Sequence, residues 1–288
     1  MKPVLEAARL RVDVDGVPQV EGLSFETTGD RVLVLAGPPA LFQAAAGIVR
    51  PRGGEIRTSG VSPTAAVRER LMACAPLDPP LPLAWKALDY VAWSARLAGV
   101  PKRDALDLAA RAIDRLHLQE VAKLHLRYAP LHARRALGVA AAVATGATTL
   151  FLEDPLRGLP DDAARSLARL VVKATLGLRT VIFAARTSLA SPIAIDADEA
   201  VVLDDGAIVA QGAPAEVASL DRSYAIRLHG RGASFAKLAE LRGARVSGQG
   251  ARWTVDLGAT LRVNDLLDVA HAAGTVLLEL RPLGRAFA

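Results

Sequence analysis

The sequence predicts an α/β fold. A mostly parallel sheet would be covered by helices on both faces, with antiparallel strands at its N-terminus, a helical subdomain inserted in its middle and a small α+β domain after it. Three observations predict this. Continuous apolar runs at Arg31–Ala36, Thr149–Leu152 and Thr180–Ala185 read as strands buried on both faces. Segments with apolar residues at three- and four-residue spacing lie between those runs, and strands alternating with helices make a covered parallel sheet. After about Asp221 the pattern restarts in the order β-α-β-β-α-β, the ferredoxin-like order.

Composition bounds the possibilities. The 288 residues suffice for one large domain or a medium domain with a small one. A hydrophobic fraction of 51% with 23% charge fits a packed interior, and 4% aromatics leaves that interior mostly to Ala, Leu and Val. The formal charge is +5 and the pI about 9.7. No Lys/Arg run carries interleaved aromatics, so no nucleic-acid partner is expected. Cys74 is the only cysteine, which forbids an intrachain disulfide and points to a reducing compartment; in "LMACAPL" it reads as a small buried hydrophobe. The opening "MKPVLEAARL" has no long apolar stretch, so no signal peptide is expected. The uncharged runs Val32–Val49 and Ala136–Leu152 each read as a strand beside a helix. No direct membrane span is therefore expected, and any membrane link would pass through a partner.

Element by element, Leu5–Phe25 reads as strands around a turn at Asp15-Gly16. A short helix is expected at Leu41–Ile48. From Pro79 to Ala140 the pattern is helical, with "LAWKALDYVAWSARLAGV", "KRDALDLAARAIDRLHL" and "LHARRALGVAAAVA" as its repeats. Asp161–Leu176 reads as an amphipathic helix whose first turn is rich in carboxylates. "EAVVLDDGAIVAQG" reads as a hairpin around Asp205-Gly206, and "APAEVASL" opens a last short helix. The division expected is 1–218 for the main domain, with its helical subdomain at about 79–140, and 219–288 for an accessory domain that regulates or makes a dimer contact.

Five blocks then carry a resemblance. "LSFETTGDRVLVLAGP", "AAAGIVRPRGGEI", "LDYVAWSARLAGVPKRDA", "TTLFLEDPLRGLPDDAARSL" and "VVLDDGAIVAQGAPAEV" follow one another in an order and spacing that resemble the ATP-binding cassette ATPases, the motor subunits of ABC transporters. The likeness covers residues 4 to about 218 and implies a P-loop NTPase-like cassette. The C-terminal region resembles extensions of exporter-type cassettes, and "LELRPLGRAF" fits their ending.

The motifs that handle ATP depart from the family pattern. A phosphate loop needs G-x-x-x-x-G-K-[ST], whose amides and Lys cradle phosphate and whose hydroxyl holds Mg²⁺. Here Gly37, Pro38 and Pro39 are followed by Ala-Leu-Phe-Gln. Aligned on Gly37 and on Ala46-Gly47, the stretch is about five residues shorter than the pattern needs. Proline has no N–H to donate, and Leu41 and Phe42 would put apolar bulk at the phosphates.

By the resemblance, Val14 stands at the adenine-stacking aromatic and Leu77 at the Gln that senses metal and water. Pro130 and Leu131 stand at the signature-loop glycines within "YAPLHARRALG". Pro160 replaces the Asp of the dimer-contact loop, and Arg186 the switch His. The Walker B strand ends Glu153-Asp154-Pro155, its two carboxylates in swapped order; an Asp base is one methylene short. His117, His125 and His132 have no metal spacing.

The resemblance therefore implies a non-catalytic cassette subunit of an ABC transport complex, with no catalytic residue, cofactor or metal expected. Glu153, Asp154, Arg186, Gly37, Pro38, Pro39, Val14, Pro130 and Leu131 would be vestigial. Its partners would be an ABC permease and a second cassette subunit. Its place would be cytoplasmic, peripheral at the inner face of the membrane. Trp85, Tyr90 and Trp93 lie in the helical block that would line the permease groove, or else form its core. Two alternatives stand beside this: an active ATPase with a divergent loop, using ATP and Mg, and a soluble scaffold unrelated to transport.

Overall fold

The computed structural model describes residues 2–204, 206–218, 222–258 and 261–283. It opens with a hairpin, β1 (Leu5–Val14) and β2 (Val17–Glu26), followed by β3 (Arg31–Leu35), α1 (Pro39–Ala45), β4 (Gly53–Thr58), α2 (Pro63–Arg68) and β5 (Met72–Ala75). The helical block holds α3 (Ala87–Leu97), α4 (Lys102–Arg115), a 3₁₀ turn at Leu126–Tyr128 and α5 (Leu131–Ala144). It begins at residue 87 rather than 79, because Pro79, Pro80 and Pro82 keep the preceding stretch extended. There follow β6 (Thr149–Glu153), α6 (Asp161–Ala174), β7 (Arg179–Ala184), α7 (Pro192–Asp196), β8 (Glu199–Asp204), β9 (Ala207–Gly212) and α8 (Pro214–Ala218).

These strands make two sheets. β2-β1-β4 is antiparallel. The order β5-β6-β7-β3-β8-β9 is parallel except for its last pair. The six-stranded sheet is buried on both faces, as its apolar runs require. Leu33, Leu35, Leu150, Leu152 and Ile182 face a core shared with α3 to α6. Their alternating neighbours Val32, Val34, Phe151, Val181 and Phe183 face a second core, closed by α1 and the antiparallel sheet. The strand period of two assigns each side chain to its layer.

The turn entering β3 is held from behind. The buried carboxylate of Glu199 accepts the N–H groups of Thr28 and Gly29 at 2.7 Å each and the Gln211 amide at 2.6 Å. Arg31 donates to the carbonyls of Thr175 and Leu178 and pairs with Asp196. Cys74, expected to be buried, is of intermediate exposure as a residue; its thiol is desolvated enough to push the pKa up to about 12.

The chain ends in β10 (Ser223–Gly230), α9 (Gly232–Leu241), β11 (Arg245–Gln249), β12 (Arg252–Asp256), α10 (Asp265–Ala272) and β13 (Thr275–Pro282). The sheet order is β11-β12-β10-β13, antiparallel throughout. That is the ferredoxin-like arrangement, with its own core built on Phe235, Val255, Leu266 and Val269. Arg281 reaches the end of β8, 2.8 Å from Asp204. The turn residue Asp205, the junction at 219–221 and the "GRAF" of the ending lie outside the described residues.

Candidate nucleotide site at the ends of the parallel strands

Ligands of open α/β sheets bind beyond the carboxyl ends of the strands. At that edge the topology gathers Ala36–Pro39 after β3, Leu77 and Asp78 after β5, Glu153 and Asp154 at the end of β6, and Ala185 and Arg186 after β7. Each of these positions was singled out in the sequence or flanks one that was.

The loop after β3 is short. Ala36 takes a left-handed backbone, φ +56°, and its N–H donates to the Ala184 carbonyl at 3.0 Å. Pro38 is extended at φ −66°, ψ 148°, and Pro39 begins α1 without a side-chain cap. Two of the four residues Ala36–Pro39 have no N–H, and a third amide serves the sheet. Only the amide of Gly37 remains for an anion in this stretch, whereas a phosphate cradle turns several inward. Gly37 itself is not placed by conformation. Its φ is not positive, and an added Cβ would meet Leu41, Leu203 and Val34 at 3.5–3.6 Å, ordinary contact.

Gly47 differs, with φ +73°. It ends α1 in a Schellman cap, donating to Ala44 at 3.0 Å while Ile48 donates to Gln43 at 2.8 Å. Leu41 and Phe42 are fully buried, so their bulk lies inside the domain rather than over the loop as the sequence led us to expect. The Phe42 ring meets Phe183 edge-on at 5.4 Å. No Lys, Ser or Thr occurs between Ala36 and Gly47.

The two carboxylates at the end of β6 have distinct surroundings. Glu153 accepts the Leu77 N–H at 2.9 Å, tying β6 to the segment that leads into the helical block. Asp154 is left-handed at φ +39°. Its N–H donates to Phe183 at 2.7 Å and its carbonyl accepts from Arg157 at 3.0 Å. Burial raises the Asp154 pKa above the ordinary carboxyl value, against the opposing pull of the Ala185 N–H and the charges of Arg157 and Arg135. Among the described residues no group of three or more His, Cys, Asp or Glu is placed to hold a metal ion.

Sequence reasoning missed Arg135 and Asp78. Arg135, in the second turn of α5, pairs with Asp78 at 2.8 Å; its side chain is 10% exposed, that of Asp78 78%. The hydrogen bond from Arg135 holds the Asp78 carboxyl below its ordinary pKa. An Arg and an Asp 57 residues apart carry no local signal of this pairing.

The other positions singled out in the sequence have separate surroundings. Val14 is half-buried against the second core. Pro130 is the exposed N-cap of α5, without a side-chain cap, and Leu131 is the first helical residue. Pro160 caps α6, whose first turn holds Asp161 and Asp162. Arg186 is exposed. The Nδ1 of His125 lies 2.7 Å from the Ala84 carbonyl. Tyr90 packs against the first core, while Trp85 and Trp93 are exposed.

A parallel sheet buried on both faces, an antiparallel sheet over one of them and a helical block between β5 and β6 together make the fold of the ABC cassettes. Solved structures agree in fold. The cassette cbiO1 of Clostridium perfringens matches with TM-score 0.63 at 18% identity, over 76% of this chain and 92% of its own. An ATP-binding cassette in its ADP conformation matches with TM-score 0.63 at 14% identity, over 76% and 96%.

Curated proteins similar in sequence carry ATP-binding names. A Methanopyrus kandleri protein named as an ABC transporter ATP-binding protein is 28% identical over 70% of this chain and 78% of its own. The taurine import ATP-binding protein of Chromobacterium violaceum is 28% identical over 59% and 67%. The daunorubicin/doxorubicin resistance ATP-binding protein of Streptomyces peucetius is 26% identical over 78% and 69%. No family model matches the chain. The resemblance read from the sequence is thus carried by fold and by relatives alike: the chain has the ABC cassette fold and is similar in sequence to ABC transporter ATP-binding proteins.

Proposed function

We propose that this chain is a non-catalytic cassette subunit of an ABC transport complex, docking on a membrane permease as a structural or regulatory element. The observation that carries the reading is the loop from Ala36 to Pro39. It offers one uncommitted amide position, has no Lys or hydroxyl before Gly47, and runs straight into a helix whose side chains serve the core. The residues present do not fit Mg-ATP held in the family's manner.

Two further features support the reading. Glu153, at the family's metal-binding position, spends a carboxylate oxygen on the Leu77 amide. Pro130 and Leu131 open α5 where the family uses glycines. The partner would be a permease, with a second cassette alongside, and the place the inner face of the membrane. Among the described residues no helix is long and apolar enough to cross one. The region from residue 219 onward would be an accessory domain.

The relatives favour one other reading, an active subunit that binds ATP through a divergent loop, because each bears an ATP-binding name. The melting temperature with and without millimolar Mg-ATP separates the two. A micromolar site would add about 4 kcal/mol and raise the midpoint by several degrees. The expected result is no shift and no protection around Gly37. A clear shift would overturn the proposal and make hydrolysis by E153Q and D154N variants the next comparison.

A further inference from the structure

The outer end of the helical block exposes aromatic surface that the core does not use. Trp85 is 39% exposed and Trp93 40%. Their rings meet edge-on at 5.8 Å, and the Arg96 guanidinium stands 4.7 Å over Trp93. They line an open cleft of about 530 Å³ with Leu106. The charged groups on that cleft are Lys86, Arg96 and Lys102 against the single carboxylate of Asp89, with His125 beside them. Leu97 and Tyr128 project nearby, 73% and 69% exposed.

This exposure is built into the block. Leu126 donates to the Trp85 carbonyl at 2.9 Å, Arg127 to Leu83 at 3.2 Å and Ala87 to Leu124 at 3.0 Å, which fixes the segment carrying Trp85. Trp93 sits on α3, whose opposite face buries Ala87, Val91 and Ala95. Residues 83–128 hold eight Lys/Arg against five Asp/Glu, so +3 of the chain's +5 falls on 46 residues.

We propose that this patch binds the surface of an anionic lipid bilayer, independently of whether the chain binds nucleotide. An indole suits the headgroup level, where its ring is shielded and its N–H stays wet. Lys86, Arg96 and Lys102 meet the negative surface potential of the lipid. A protein helix would need a continuous apolar groove several turns long. Here the paired indoles are ringed by Lys86, Arg96 and Lys102, with the exposed Leu97 and Tyr128 beyond them, an arrangement matched to a lipid interface.

The test uses the full chain and phosphatidylcholine vesicles with and without phosphatidylglycerol. Trp253 is replaced by Phe so that emission reports Trp85 and Trp93 alone. The chain is expected to sediment only with the anionic vesicles, with blue-shifted emission and with binding that weakens as salt rises. K86E/R96E/K102E should reduce partitioning by at least about a hundredfold, from roughly fivefold per cation lost. W85S/W93S should weaken binding while leaving the melting temperature unchanged.

R165E/R169E/K173E, which makes the same charge change on the exposed face of α6, should bind as the parent does. Absence of binding to anionic vesicles at low salt would overturn the proposal. So would an equal loss in the α6 variant, or binding without an emission shift. Binding of an acidic amphipathic helical peptide in place of vesicles would assign the patch to a protein partner instead.

Discussion

Asp154 combines a left-handed backbone with a carboxyl drawn away from water. Both features follow from its place at the end of β6, where the chain turns from the sheet to Arg157. Because its folded pKa is raised, the native state binds more protons there than the unfolded chain does. That contribution is complete below the ordinary Asp pKa and is lost as pH rises through the raised one. Asp154→Asn removes the ionisation, keeps an oxygen for the Ala185 N–H and tolerates the left-handed backbone. The variant should melt above the parent at neutral pH, and the gap should close on acidification below about pH 4. A gap that does not change with pH would refute this account. The presence of both carboxylates was legible in the sequence, but their partners were not. The bond from Leu77 to Glu153 exists because β5 lies beside β6, a strand order set by residues 76 positions apart.

At seven residues, α1 is too short to hold itself together, and its Schellman cap and buried face do so instead. Phe42 is the largest member of that face and touches Phe183 from the neighbouring strand. Phe42→Ala is expected to cost about 3–5 kcal/mol in urea denaturation, a large share of a typical domain's stability. A cost below about 1 kcal/mol would mean the helix is held by its cap alone. Buried strands were the most legible elements, since Arg31–Leu35, Thr149–Glu153 and Arg179–Ala184 are continuous apolar runs. The start of α1 was read two residues late although Pro39 marks a first helical position. The strand Gly53–Thr58 and the helix Pro63–Arg68 went unread. The first opens with two glycines, which favour turns over strands, and the second buries only Pro63 and Ala66, too few to show a period.

On the scale of the molecule, we take the C-terminal sheet as a folding unit of its own. Its core is closed by α9 and α10, and the Arg281–Asp204 pair that meets the cassette is partly exposed. An exposed pair contributes about 0–1 kcal/mol. Calorimetry of the full chain is expected to show two transitions, and Arg281→Ala should leave both midpoints in place; a single transition would show the two bodies to be one cooperative unit. The strand order of this unit was legible because its six elements alternate in a short span. How it meets the cassette was not, since the Arg281–Asp204 pair at the end of the hairpin joins residues 77 positions apart. A mechanical consequence follows from the bonds near β5. Leu77 is clamped to the sheet by Glu153, while Asp78 is bonded to α5 through a terminal nitrogen of Arg135, nine-tenths buried, whose Nε makes no hydrogen bond. A shift of α5 against the sheet would pull on Asp78 while Glu153 holds Leu77. On that side of the molecule the pivot is thus a single peptide unit, and torsion between the two bodies is focused there like strain on one pin of a hinge.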